Sequence, residues 1–119
     1  MHNFKELNIW KESVNLVVNL YGITKDFPRS EQFGLISQIR RCSVSIPSNI
    51  AEGSGRSDAD FKRFLSISIS SAFELETQLI IANRLEYIAD KDLKFLLDSL
   101  KSIQKMIYSL KEKVNLDNN

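Results

Sequence analysis

The chain has 119 residues and a mass of 13.7 kDa, which is the size of a single domain. It contains 43% hydrophobic and 26% charged residues, a balance that fits a folded globular protein and argues against disorder. With only 4 glycines and 2 prolines, the chain lacks the turn residues that a sandwich or barrel of strands needs. The formal net charge of +1 also excludes the clearly basic composition of a general nucleic-acid-binding domain.

The first helical segment is predicted over residues 4–25 and carries two apolar stripes. The seam expected to face the other helices recurs in steps of three and four, at Leu7, Trp10, Val14, Val17, Tyr21 and Thr24. A second stripe lies beside it, at Leu16, Leu20, Ile23 and Phe27. The segment is expected to end before Pro28, because proline disfavours the helical conformation in the residue that precedes it.

The second segment, residues 31–53, contains a proline inside its helical pattern. Its apolar spacing is kept by Ile36, Ile39, Ser43, Ile46 and Ile50. Pro47 removes one backbone donor from this helix, so we expect a kink there rather than an end. Gly53 and Gly55 mark the expected end of the helix.

The third and fourth segments are predicted over residues 58–88 and 91–115. Ser57 is the expected N-cap of the third helix, because Asp58 and Asp60 follow it in the first turn. The seam of the third helix is Phe61, Leu65, Ser68, Ala72, Leu75, Leu79 and Ala82. The seam of the fourth is Leu93, Leu96, Leu100, Ile103, Ile107, Leu110 and Val114. Four helices with short links predict an all-α fold, an antiparallel up-down-up-down four-helix bundle in which residues 1–119 form one domain.

No catalytic, metal or cofactor site is predicted. The one histidine, His2, precedes the first helix, so neither a di-iron bundle motif nor a nucleophile–histidine–acid set can be assembled. No glycine-rich phosphate loop is present, and we expect neither enzyme activity nor a small-molecule substrate. The single cysteine, Cys42, cannot form an internal disulfide, which indicates a reducing compartment.

Cys42 has two possible roles. It follows Arg40 and Arg41, which would favour a reactive thiolate, whereas most free cysteines are small buried core residues. The sequence shows no secretory leader and no apolar run long enough to span a bilayer, so we expect a cytoplasmic protein without membrane attachment.

The second helix and the joint after it carry an unusual polar face. Its members recur at helical spacing, at Arg41, Ser45, Ser48, Asn49 and Glu52, with Arg56 next in line. One interpretation is a docking face for a partner or a phosphate backbone, with charge from Arg40, Arg41, Arg56, Lys62 and Arg63. The other is a polar network that holds the corner between the second and third helices, with Glu52 paired to an arginine. Either way, we expect the corner to be shaped by Pro47, Ser48, Asn49, Glu52 and Gly53.

Residues 37–56, SQIRRCSVSIPSNIAEGSGR, closely resemble the signature of four-helix-bundle proteins encoded by intervening sequences in bacterial 23S rRNA genes. The resemblance extends to Trp10, to Phe27-Pro28 and to Phe64-Leu65. The fold is also similar to that of the accessory variability proteins of diversity-generating retroelements. The resemblance implies a small bacterial cytoplasmic bundle, a homopentamer as the recurring assembly, and a role with RNA or a ribonucleoprotein. The near-neutral charge of this chain differs from the strongly basic retroelement relatives.

The chain has more apolar surface than one stripe per helix requires. The surplus comprises Leu16, Leu20, Ile23 and Phe27 in the first helix and Ile69, Phe73, Ile80 and Tyr87 in the third. These residues either widen the core or form an interface between subunits. The sequence thus favours a non-enzymatic, homo-oligomeric module that binds RNA, a ribonucleoprotein or a nucleic-acid-processing protein. The alternative is a protein–protein adaptor or scaffold that makes no direct contact with nucleic acid.

Overall fold

The computed structural model describes the backbone of residues 3–117 and the side chains of residues 3–114. Its helices are α1 (Asn8–Thr24), α2 (Leu35–Ser54), α3 (Asp58–Arg84) and α4 (Asp90–Asp117). Two short 3₁₀ turns, Phe4–Glu6 and Arg29–Glu31, complete the regular structure, and residues 3–117 contain no strand. The all-α prediction is therefore confirmed. His2 lies outside the described residues.

The four helices pack as neighbours around one core. The helix α2 contacts α1 and α3, and α4 contacts α3 and α1, with the most extensive contact between α2 and α3. The molecule measures 49 × 23 × 20 Å, which is elongated along its helices as a bundle is. The pairing places the polar face of α2 beside α3, where most of the features described below are found.

The seam predicted for α3 is confirmed, and that of α4 is confirmed for most of its length. Every seam residue of α3, from Phe61 to Ala82, is buried. In α4 the buried seam residues are Leu96, Leu100, Ile103, Ile107 and Val114. The cap is also as expected, since the Ser57 hydroxyl accepts a hydrogen bond of 3.2 Å from the Asp60 backbone N–H.

The seam predicted for α1 is wrong, and the second stripe is the one that faces the core. The buried residues of α1 are Ile9, Ser13, Leu16, Leu20 and Thr24. Tyr21, assigned to the seam, is instead 40% exposed. Two polar residues can occupy the core because their hydroxyls donate to backbone carbonyls of their own helix, Ser13 to Ile9 and Thr24 to Leu20.

Two helix starts also differ from the prediction. Residues 4–6 form a 3₁₀ turn capped by Asn3, and Leu7 is extended, so α1 begins only at Asn8. In this arrangement the Phe4 ring packs edge-on against Trp10, with 5.3 Å between ring centroids. The second helix begins at Leu35 rather than at residue 31, because the Glu31 carboxylate accepts the Leu35 N–H at 3.1 Å and so caps it.

The third helix ends at Arg84, four residues before the predicted end. The backbone N–H of Tyr87 donates to Ala82 and that of Glu86 to Asn83, both at 2.9 Å, which is a Schellman ending. Glu86 has a φ of 67°, the left-handed conformation that glycine usually supplies at this position. Without that glycine, the sequence offers no pattern that marks the stop.

The same helix is more apolar overall than the sequence analysis allowed. By length and composition alone, α3 is the one helix within residues 3–117 that would be long and apolar enough to cross a membrane. Its core face supplies much of this character, since eight of its residues are buried, including Phe61, Leu65 and Leu79. The fourth helix continues to Asp117, two residues beyond its predicted end.

Candidate functional site at the contact between α2 and α3

The corner where α2 leads into α3 is the tightest helix contact around the polar face. Gly53 is buried there, and a Cβ atom added to it would lie 2.6 Å from Phe64 Cβ and 3.0 Å from Phe61 Cδ1. Real Cβ atoms do not approach so closely, so only glycine lets the two helices meet here. The expectation that Gly53 shapes the corner has this close approach as its physical basis.

A polar network joins α2 to α3 beyond the corner. The hydroxyls of Ser45 and Ser71 share a hydrogen bond of 2.8 Å across the two helices. The Asn49 amide donates back to the Ser45 carbonyl at 2.8 Å and to its hydroxyl at 3.0 Å. The Ser68 hydroxyl of α3 donates to the Ile46 carbonyl of α2 at 3.0 Å. Serines on both helices therefore hold this contact through direct hydrogen bonds.

The remaining residues of the expected corner motif lie on different sides of α2. Pro47 is buried inside the helix, and Ser48 is exposed. Glu52 is also exposed and forms an ion pair of 2.6 Å with Arg56, so the expected pairing of Glu52 with an arginine is present. Structure and surface are thus divided among neighbouring positions, as the 100° step between helical residues requires.

Arg40 is a structural residue rather than a free phosphate contact, which corrects its assignment. Its Nε donates to the Thr24 hydroxyl at 2.9 Å, and its Nη2 donates to the Tyr21 carbonyl at 3.3 Å. Its guanidinium carbon also lies 4.4 Å from the centroid of the Tyr21 ring. These contacts direct Arg40 toward α1, and its neighbour Arg41 points to the other side of the helix.

Two of the remaining predicted basic residues form one aromatic–basic cluster at the corner. The guanidinium carbons of Arg56 and Arg63 lie 5.1 and 4.7 Å from the centroid of the Phe64 ring. Both arginines are largely exposed. Lys62 is partly buried one position before Arg63, so it points to another side of α3. We call Arg56, Arg63 and Phe64 the corner cluster.

Arg41 is separated from the corner cluster along the length of α2. The fifteen positions between Arg41 and Arg56 correspond to about 22 Å at a rise of 1.5 Å per residue. The five predicted basic residues therefore form no single patch. Arg41 is exposed and makes no hydrogen bond or ion pair with any other described residue.

Arg41 lines a groove between α2 and α3, which we call the α2–α3 groove. Its volume is about 830 Å³, within the range of sites that hold small ligands. The side chains used below are Phe33, Arg41, Cys42, Glu74 and Gln78. Phe33 is 91% exposed, the most exposed large hydrophobic side chain among the described residues. A phenyl ring so open to water is available for contact with a binding partner.

Cys42 lies at the wall of the groove as a buried thiol. Its Sγ donates to the Ser71 carbonyl at 3.1 Å and to Glu74 Oε2 at 3.2 Å. Burial, followed by the hydrogen bond to Glu74, raises the pKa of Cys42 to about 12. The buried-core interpretation is therefore confirmed. The thiolate interpretation is wrong, because the carboxylate beside the thiol outweighs the nearby arginines.

Gln78 lies one helical turn beyond Glu74 and carries an unpaired acceptor. Its Oε1 is buried and has no hydrogen-bond partner, the one such side-chain atom among the described residues. A buried acceptor without a partner costs about 1–3 kcal/mol, so its position in a groove points to a missing donor. Sequence analysis missed Phe33, Glu74 and Gln78. The spacing of Ser71, Glu74 and Gln78 on one side of the α3 seam was the available signal.

Half of the residues assigned to a subunit interface belong to the core of the single chain. Leu16, Leu20, Phe27 and Ile69 are each at most 5% exposed, so they widen the core and are not available to a partner. Ile23, Ile80 and Tyr87 are partly exposed. Tyr87 packs on Phe27 and donates to Glu31 Oε2 at 3.1 Å, which fixes it within the fold. Phe73, at 50% exposure, is the member most open to solvent.

No three histidine, cysteine, aspartate or glutamate side chains within the described range lie close enough to hold a metal ion. The donors that do converge are an arginine, a carboxylate and an amide around the α2–α3 groove. These groups are suited to binding by hydrogen bonds.

Comparison with known proteins places this architecture in a family. The model of the 23S rRNA-intervening sequence proteins matches residues 5–109. No curated protein matches the chain significantly. A crystal structure of a protein of unknown function from the S23 ribosomal protein family of Bacteroides thetaiotaomicron VPI-5482 has a TM-score of 0.81 to this chain. The two are 27% identical, and the likeness covers 87% of this chain and 95% of the other. The chain thus belongs to the family of 23S rRNA-intervening sequence proteins.

Proposed function

We propose that this chain is a non-catalytic, homo-oligomeric binding module that associates with RNA or a ribonucleoprotein in the cytoplasm. The observation that carries the proposal is the corner cluster, in which two exposed guanidinium groups lie against the Phe64 ring. Surfaces that bind single-stranded nucleic acid combine basic side chains for the phosphates with aromatic rings for the bases. The 23S rRNA-intervening sequence family supplies the bacterial RNA context.

The acidic partners of these arginines do not prevent phosphate binding. Arg56 pairs with Glu52 at 2.6 Å and Arg63 with Asp60 at 3.9 Å, and all four side chains are at least 43% exposed. Exposed ion pairs contribute only about 0–1 kcal/mol, so a phosphate group can replace the carboxylate at little cost. The net charge of +1 then limits binding to the local cluster, since local charge sets the local field.

The homo-oligomeric part of the proposal rests on apolar surface that the single chain leaves open. Phe73 is 50% exposed, and Ile80 lies two turns farther along the same side of α3. Between them they form an apolar stripe that a second copy of the chain can cover. The short joints favour the antiparallel up-down-up-down order, and the family resemblance favours a ring of five copies.

Salt-dependent RNA binding tests the proposal. We expect the protein to bind structured RNA with single-stranded loops at low salt, and its affinity to fall as salt increases. Replacing Arg56 and Arg63 together by glutamine should lower the salt slope by about 2, since each lost phosphate contact contributes about 0.9. The matched control is Arg29→Gln, an exposed arginine in the link at the opposite end of α2. No binding at low salt would contradict the proposal.

Light scattering tests the assembly. We expect the wild-type mass to be a multiple of 13.7 kDa and Phe73→Glu to reduce it. The control Val18→Glu introduces the same charge at a valine of α1 that is 65% exposed. A monomeric wild-type protein would contradict the homo-oligomeric part of the proposal.

A protein adaptor is the second candidate function. It is favoured by the pairing of most corner charges within the chain and by exposed rings such as Phe33 and Phe95. Affinity capture before and after nuclease treatment separates the two candidates. An adaptor retains its partner protein after nuclease, whereas RNA-mediated association is lost.

A further inference from the structure

We propose that the α2–α3 groove binds a guanine base of single-stranded RNA, held between Glu74 and Gln78 on α3 and Arg41 on α2. This inference rests on the proposed RNA association and names the ligand that the groove would take. The corner cluster contacts phosphates and stacks on bases without regard to sequence. The groove would add the choice of one base.

The α3 wall of the groove offers two acceptors. Gln78 Oε1 is buried and has no partner among the described residues, and Glu74 lies one turn before it on the same side of the helix. The Watson–Crick edge of guanine presents two neighbouring donors, N1–H and the N2 amino group. Adenine, cytosine and uracil each alternate donors and acceptors on that edge. A wall of acceptors therefore matches guanine in preference to the other three bases.

The α2 wall offers donors in the matching place. Arg41 lines the groove, is exposed, and makes no hydrogen bond or ion pair with a described residue. A guanidinium fork pairs with O6 and N7 of guanine, the most common specific contact between proteins and bases. Because O6 and N7 lie on the opposite side of the ring from the N2 amino group, one base can bridge α2 and α3.

The thiol of Cys42 holds Glu74 in position for this contact. It donates to Glu74 Oε2 at 3.2 Å, which uses one carboxylate oxygen and leaves the other for a ligand. Phe33, at 91% exposure, lines the same groove and offers a ring on which the base can stack. The volume of about 830 Å³ accommodates a nucleotide together with part of its neighbour.

Titration with single nucleotides tests the groove apart from the corner cluster. Chemical-shift changes of the wild-type protein are followed with GMP, IMP and AMP. IMP lacks only the N2 amino group of GMP, so we expect about tenfold weaker binding, the equivalent of one lost hydrogen bond to a charged acceptor. We expect AMP to bind at least as weakly as IMP, and the shifts to include residues around Gln78.

Variants of the groove provide the matched comparison. Glu74→Gln should weaken GMP binding by about tenfold or more, and Gln78→Met should weaken it to a similar degree. Arg63→Gln, in the corner cluster, should leave GMP binding unchanged while weakening RNA binding. Circular dichroism shows that each variant is folded, and the exposure of the Glu74 residue makes its substitution safe for the fold.

Three results would overturn the inference. They are equal binding of GMP and AMP, GMP binding that survives Glu74→Gln, and shifts around Gln78 that occur with a polypeptide partner but with no nucleotide. If structured RNA still binds through Arg56 and Arg63, the proposed function stands and only the guanine inference fails. If GMP binds in the groove but RNA does not bind at all, the proposed function fails and the groove site remains.

Discussion

The contact between α2 and α3 is closed at the corner and open at the groove. At the corner, Gly53 has no room even for a methyl group against Phe61 and Phe64. Toward the other end of α2, Arg41, Glu74 and Gln78 line about 830 Å³ of open volume. The same two helices thus make both features, and side-chain size decides which one forms at each position.

The two regions also differ in how their polar groups are satisfied. Between them, the hydroxyls of Ser45, Ser68 and Ser71 are paired across the helices. In the groove, Gln78 Oε1 is unpaired and Arg41 has no partner among the described residues. The comparison teaches that the closed region stabilises the fold, whereas the open region keeps binding capacity at some cost in stability. The predictions below test that division.

The largest effect is expected at the closed corner. Gly53→Ala should lower the free energy of unfolding by about 3 kcal/mol, because its Cβ would lie 2.6 Å from Phe64 Cβ and overpack the contact. Gly55→Ala is the control, since nothing lies within 4 Å of the Cβ added there. Urea denaturation measures both variants. Equal stability of the two alanine variants would mean that the corner is not closed.

Two neighbouring arginines provide the next test. Arg40→Ala should lower the free energy of unfolding by about 1–2 kcal/mol, because it removes hydrogen bonds to Thr24 and Tyr21 and a contact with the Tyr21 ring. Arg41→Ala should change stability by less than about 0.5 kcal/mol, since its side chain has no described partner. A larger loss for Arg41 than for Arg40 would reverse the assignment of the two sides of α2.

Alkaline unfolding examines the wall of the groove. The pKa of Cys42 is raised from 9.0 to about 12, so the folded state holds the thiol proton more tightly than the unfolded state does. This contribution to stability is complete below about pH 9 and is lost as the pH rises toward about 12. Cys42→Ala should therefore flatten the fall in stability over this range, as followed by denaturation at several pH values.

Tyr87→Phe is the control for that experiment, because the hydrogen bond to Glu31 also raises the pKa of Tyr87. Its effect has the same sign but arises at the joint between α3 and α4, away from the groove. If Cys42→Ala leaves the pH dependence unchanged, the thiol does not titrate as the groove geometry requires.

The smallest effect is expected at the unpaired acceptor. Gln78→Met should raise the free energy of unfolding by about 0.5–1 kcal/mol, because it removes a buried acceptor that has no donor. The same variant should weaken GMP binding, so stability and binding should change in opposite directions. Gln38→Met, an exposed glutamine on the other wall of the groove, is the control. A loss of stability in Gln78→Met would show that the amide already has a structural partner.

The sequence by itself determined the all-α class, the core seam of α3 and most of that of α4. These two helices each carry one dominant stripe of large apolar residues, so their orientation toward a core follows from periodicity alone. Ser57 as a cap and Pro47 inside α2 were equally readable, because both effects are local to the backbone. The unusual polar face of α2 was also recognised, and it does lie beside α3.

Only the tertiary structure decided which stripe of α1 faces the core, and which arginine of the Arg40–Arg41 pair is structural. The apolar residues of α1 cover a broad arc, and Ser13 and Thr24 satisfy their hydroxyls within the helix, so the neighbouring helices settle its rotation. The α2–α3 groove was likewise out of reach of the sequence. Its members come from α2, α3 and the link before α2, and only packing brings Phe33, Arg41 and Gln78 to one place.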